Sequence, residues 1–117
     1  MNNLVKGLQG EDIAVEHLIK QQYIILERNF RYKKSEIDII ALKEDTLVFI
    51  EVKMRNKTSF GYPEEFVSTA QEERILNAST FYLEQAPPKH KFIRFDIIAI
   101  IGNKQRFSLT HIKDAFH

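Results

Sequence analysis

Asp38, Glu51 and Lys53 have the types and spacing to hold a divalent cation and assist hydrolysis of a phosphodiester. The polar turn Lys43-Glu44-Asp45-Thr46 lies between two apolar runs, Glu36 to Leu42 and Leu47 to Lys53. A hairpin closed there pairs Leu42 with Leu47, and that register sets Asp38 opposite Glu51 and Glu36 opposite Lys53. Facing residues in such a pair have Cβ atoms about 4.5–5.5 Å apart, and like charges there are destabilising. A hard cation such as Mg²⁺ or Mn²⁺ removes the conflict, because it takes oxygen ligands and commonly binds one or two carboxylates plus phosphate and water. Lys53, two residues beyond Glu51, projects from the same face roughly 6–7 Å along the strand. An ammonium there can orient the attacking water and offset charge on phosphoryl oxygens.

Alternation predicts that Glu36, Asp38 and Ile40 share a face with Leu47, Phe49, Glu51 and Lys53. Ile37, Ile39, Ala41, Val48, Ile50 and Val52 then make a wholly apolar opposite face. Strands apolar on one side and partly covered on the other belong in the centre of a sheet. Residues Leu4 to Gln22 read as a helix, with Leu4, Leu8, Val15, Leu18 and Ile19 on one arc. Glu11 falls inside that arc, where an unpaired carboxylate is costly, and it could reach the same cation.

Strands are expected at Tyr23 to Tyr32, Phe92 to Ile101 and Arg106 to His111, and a last helical turn at Ile112 to Phe116. A second helix is expected to start at Pro63, which suits a first helical turn, with Glu64 and Glu65 beside its positive end. It carries Val67, Ala70, Ala78, Phe81 and Tyr82 and stops before Pro87. The order is α-β-β-β-α-β-β, a mixed central sheet flanked by helices.

The 117 residues suffice for one domain, spanning 1–117. With no cysteine, disulfides, thiolate zinc sites and cysteine nucleophiles are excluded, which fits a reducing cytoplasm. No apolar stretch reaches membrane-spanning length, and Met1 to Lys6 lacks a signal peptide's apolar run. A formal charge of +1 is low for a dedicated nucleic-acid binder, so attraction to phosphate must come from local patches or bound metal. Arg31, Lys33, Lys34, Arg55 and Lys57 surround the hairpin's open end, and Arg74 lies on the second helix. Together they form a candidate phosphate-contacting surface; singly, each reads first as a solvated rim charge. Phe60 and Tyr62 are candidates to stack on a base. Asp96, inside an apolar strand, is expected to hydrogen-bond in the core, and the four histidines show no ligand spacing.

The run Ser35-Glu36-Ile37-Asp38-Ile39-Ile40-Ala41, followed by Val48-Phe49-Ile50-Glu51-Val52-Lys53-Met54-Arg55, resembles the PD-(D/E)xK nuclease superfamily, with spacing similar to that of Holliday junction resolvases. Nearly end to end the chain resembles the bacterial YraN-like family, through Gly7 to Glu11, Asn29-Phe30-Arg31, Phe60 to Pro63, Arg94-Phe95-Asp96, His111-Ile112 and Ala115-Phe116. The resemblance implies a restriction-endonuclease-like three-layer α/β fold. It implies Asp38 and Glu51 as metal ligands, Lys53 as the catalytic lysine and Glu11 as the helix-borne acidic partner. Its implied substrate is branched or damaged DNA. Such proteins often carry a lysine near Gln71, where this chain reads Gln71-Glu72-Glu73-Arg74. Two other readings stay open: a module that binds nucleic acid without cutting it, and an assembly module forming a homodimer through a sheet edge or helix. At the level of residues, a surface hairpin with a cross-strand salt bridge is the bland alternative to the metal site.

Overall fold

A computed structural model of the chain describes residues 3–56 and 68–116, with side chains from Gln9 onward. It contains α1 (Asn3–Lys20), β1 (Ile24–Tyr32), β2 (Ser35–Lys43), β3 (Thr46–Arg55), α2 (Thr69–Leu83), β4 (Phe92–Gly102) and β5 (Phe107–Ile112). The strands form one sheet in the order β1-β2-β3-β4-β5. Only β3 and β4 run parallel, and the connection between them carries α2; the other neighbours are antiparallel. The expected element order and layered α/β architecture are what the structure shows.

Each face of the sheet is sealed by one helix. Ile13, Ala14 and Leu18 of α1 pack on Ile39, Ala41, Val48, Ile50, Ile98 and Ile100. On the other side, Ile75, Ala78 and Tyr82 of α2 pack on Ile37, Ile40, Leu47, Phe49 and Ile97. Coverage on both sides explains the long apolar runs in β3 and β4. Gly10 permits the close approach of α1, since a Cβ there would stand 3.2 Å from Met54 Cβ. That contact sets Glu11 against the sheet.

Several expectations need correction. The α1 arc does not extend to Ile19, which is 57% exposed, while Ile13 and Ala14 are buried in its place. The β2–β3 turn has two residues, Glu44 and Asp45, because Lys43 pairs with Thr46, yet the expected register of Leu42 with Leu47 holds. Two-residue hairpins need positive φ, and here Lys33 and Glu44 supply it at 55° and 54°. Ile37 lies beneath α2 with Ile40, not beside Ile39 under α1, so strict alternation fails at Asp38. The last helical turn is absent. Ile112 ends β5, and Phe116 inserts into the core under α2. The described part of the second helix starts at Thr69, where the Ser68 side chain accepts a hydrogen bond from Gln71 N. The expected start at Pro63, with Glu64, Glu65 and Val67, lies outside the described residues, as do Lys57, Phe60 and Tyr62.

Candidate functional site

The geometry begins with the break in alternation. In the β1–β2 ladder, Arg28 pairs with Ile39 and Phe30 with Ile37, and the intervening Asn29 and Asp38 are skipped. Asn29 takes φ 54°, a left-handed conformation that Asn tolerates better than most residues. On the other side, β2 and β3 pair only as far as Ile39 with Ile50. Beyond that point Asp38 Oδ2 accepts from Val52 N at 2.8 Å, so a side chain continues where the backbone ladder stops. Asp38 therefore sits at the opening between two central strands.

Glu51 is buried at 7% exposure. Its Oε1 meets Lys53 Nζ at 3.2 Å and accepts from Gln71 Nε2 at 2.8 Å. The Asp38 and Glu51 carboxyl groups line the same cleft, and the charge of Asp38 acts on Glu51. Desolvation first, and then the charge of Asp38, push the Glu51 carboxyl up to about 8 against the opposing pull of Lys53. Burial also raises Asp38, with the Val52 N–H pulling the other way. Glu11, 6% exposed, is raised by burial and by Asp38, and its Oε1 is held by Asn29 Nδ2 at 3.1 Å and Arg28 at 3.5 Å. The structure thus brings Asp38, Glu51 and Lys53 together, with Glu11 in electrostatic contact behind Asp38.

A cleft of about 260 Å³ opens over this group, lined by Lys34, Glu36, Asp38, Glu51, Gln71, Arg74 and Ile75. Of the six cations expected to meet phosphate, Lys34 and Arg74 line it. Arg31 stays at the rim, paired at 3.1 Å with Glu36, and Arg55 donates to Met54 O. Glu36, expected opposite Lys53, pairs with Arg31 because β2 and β3 have separated before reaching it. Sequence reasoning missed Gln71 as a partner of Glu51, and no local signal marks it, since helix α2 meets β3 only through the tertiary fold. Asn29 was accessible to a reader watching for left-handed residues.

The donor set suits a hard divalent cation. Two carboxyls lining one polar cleft present oxygen ligands and a like-charge conflict that a cation relieves. Among the described residues no three His, Cys, Asp or Glu side chains group as a metal-binding cluster, so water and phosphate would complete the shell.

A raised carboxyl pKa has a sign. The protonated Glu51 favours the folded state fully below its ordinary value of 4.5, and this contribution is lost as pH rises through about 8. Glu51→Gln is therefore expected to flatten the decline in stability across that window. In EDTA, at the upper end, the variant should exceed the wild type by on the order of 2–4 kcal/mol. Parallel pH–stability curves for the two proteins by chemical denaturation would count against this charge assignment.

Fold and cleft together define a three-layer α/β protein with a carboxylate-pair-and-lysine site at the break in its central strands. The chain belongs to the uncharacterised protein family UPF0102, whose model matches residues 10–100, in agreement with the YraN-like resemblance. A UPF0102 protein of Persephonella marina is 45% identical over 99% of this chain and 97% of its own length. Relatives from Christiangramia forsetii and Chlorobium phaeobacteroides are 46% and 47% identical, each covering 94% of this chain and 92% of their own lengths. Among the described residues no helix is long and apolar enough to cross a membrane.

Proposed function

We propose that this protein is a divalent-metal nuclease that cuts phosphodiester bonds in nucleic acid, with DNA of branched or damaged structure as its substrate class. One observation carries the reading: two carboxyls, Asp38 and Glu51, line one cleft with Lys53 Nζ 3.2 Å from the second of them. Asp38 and Glu51 would hold Mg²⁺ or Mn²⁺, which when bound supplies Lewis acidity at a phosphoryl oxygen and a more acidic water. The chain's own residues do the rest. Lys53 donates from Nζ toward the attacking water or the phosphoryl oxygens and draws Glu51 toward ionisation. Gln71 fixes the Glu51 carboxyl in place, and Lys34 and Arg74 at the cleft supply cations for flanking phosphates. Glu11, tied down by Arg28 and Asn29, adds negative potential behind Asp38.

The formal charge of +1 and the acidic Glu72 and Glu73 on α2 favour a second reading, a module that binds nucleic acid without cutting it. Purified protein incubated with single-stranded, duplex and four-way-junction DNA separates the two. Fragments are expected in Mn²⁺ and not in EDTA. Salt-sensitive binding with every substrate left intact would establish the binding module instead.

A further inference from the structure

A second hollow adjoins the carboxylate cleft. It has a volume of about 610 Å³ and lies between the β1–β2 turn and α2, with Lys34 lining both. Its wall is aromatic: Tyr32 and Phe81 are stacked with centroids 4.2 Å apart and planes 18° from parallel, and both remain partly exposed. Its mouth is cationic, with Lys33 Nζ 5.2 Å from the centre of the Tyr32 ring and Lys34 beside it. Asn77 on α2 and Glu84, which caps its C-terminus, are exposed and line the same hollow.

We infer that this hollow seats an unpaired base of a single-stranded segment whose phosphate lies in the adjoining cleft; this rests on the nuclease reading above. Bases in a duplex present only their edges in the grooves, so a ring face can meet an aromatic wall only when the base is out of its pair. The volume falls within the roughly 300–1,000 Å³ of small-ligand sites, a scale of nucleotides and not of a double helix. Stacking on aromatic faces beside a basic track is how single strands are held without sequence readout. Lys34 provides that track from one hollow to the other. Asn77 and Glu84 can meet a base edge, the carboxylate as an acceptor for an exocyclic amino group. The substrate class is therefore nucleic acid with an unpaired stretch beside the scissile bond.

The test is fluorescence anisotropy in EDTA, using the full chain with a short labelled oligothymidylate and a labelled duplex of equal length. Single strand is expected to bind at least about tenfold tighter, and Phe81→Ala to weaken it by roughly 5- to 150-fold, the span of one base–aromatic stack. Because Phe81 also packs near Phe30, Lys33→Gly serves as the second variant. Its native φ of 55° suits glycine, so the charge is removed without backbone strain, and weaker single-strand binding is expected again. Equal affinity for duplex and single strand, or two folded variants that bind like the wild type, would overturn the inference. Cleavage in Mn²⁺ is scored separately. Intact DNA with a Phe81-dependent single-strand preference overturns the nuclease and keeps the base pocket, whereas cutting without that preference does the reverse.

Discussion

Lys53→Ala is expected to slow Mn²⁺-dependent cleavage by on the order of 100- to 1,000-fold, the usual loss when one preorganised donor to a developing charge is removed. The geometry gives Lys53 two effects. Its Nζ stands 3.2 Å from Glu51 Oε1 with the side chain only 17% exposed, so its charge acts in a poorly solvated cleft. It is also a favourable charge holding the Glu51 carboxyl down against burial and Asp38. Without it that carboxyl keeps its proton to higher pH, and a ligand must lose its proton before it binds metal. The deficit of Lys53→Ala should therefore be greatest at neutral pH and shrink as pH climbs beyond about 8. Lys53→Arg should keep the positive charge that favours ionisation of Glu51 while misplacing the donor, leaving a pH profile like the wild type at a lower rate. Initial rates for the three proteins across that range decide the matter. Wild-type rates from purified Lys53→Ala would assign the cutting to a contaminant.

Why this site was legible in the sequence, and where legibility stopped, follows from the range of the forces involved. The β2–β3 register is local: a polar turn between alternating strands pairs Leu42 with Leu47, and Asp38 and Glu51 follow from it. The departure from that register is not local. Asp38 meets Glu51 through a place where the ladder with β3 has ended and the ladder with β1 skips a pair, and Asn29 on another strand takes part in that irregularity. Gln71 is further still, since only the packing of α2 brings it to Glu51. Helix α1 shows the same limit on the apolar side. A periodic stripe places Leu18 and Ile19 on one arc, but the sheet covers only part of that arc. Leu18 is fully buried and Ile19 more than half exposed. Asp96 was readable as a buried hydrogen-bonding carboxylate because it interrupts an apolar strand, but two of its three partner residues, His111 and Asp114, come from other segments.

Those partners make Asp96→Asn the substitution with the largest expected cost in stability. Asp96 is completely buried. It accepts from Arg94 Nε and a terminal nitrogen of the same guanidinium, each at 2.9 Å, from His111 Nε2 at 2.7 Å, and from Asp114 N at 3.0 Å. Arg94 in turn donates to the Tyr23 hydroxyl at 2.7 Å, and His111 Nδ1 lies 3.2 Å from His17 Nε2. One carboxylate thus ties β4 to β5, to the turn after it and, through two relays, to the start of β1 and the end of α1. Burial alone would raise its pKa, but the His111, Arg94 and Asp114 donors outweigh burial and hold it below the ordinary value. Removing its charge leaves the half-buried Arg94 guanidinium with no counter-charge in contact and the buried donors around Asp96 poorly met, which costs on the order of 3 kcal/mol. For a domain of this size that should lower Tm by more than roughly 10 °C. The pH signature has the opposite sign to that of Glu51. A depressed carboxylate contributes stability above its unfolded value of 3.8, and that contribution disappears as pH falls through the folded value. Wild type should therefore lose stability in acid more steeply than Asp96→Asn, and the two melting curves should converge there. Curves that keep a constant gap down to low pH would show that Asp96 acts by packing and hydrogen-bond geometry, without its charge.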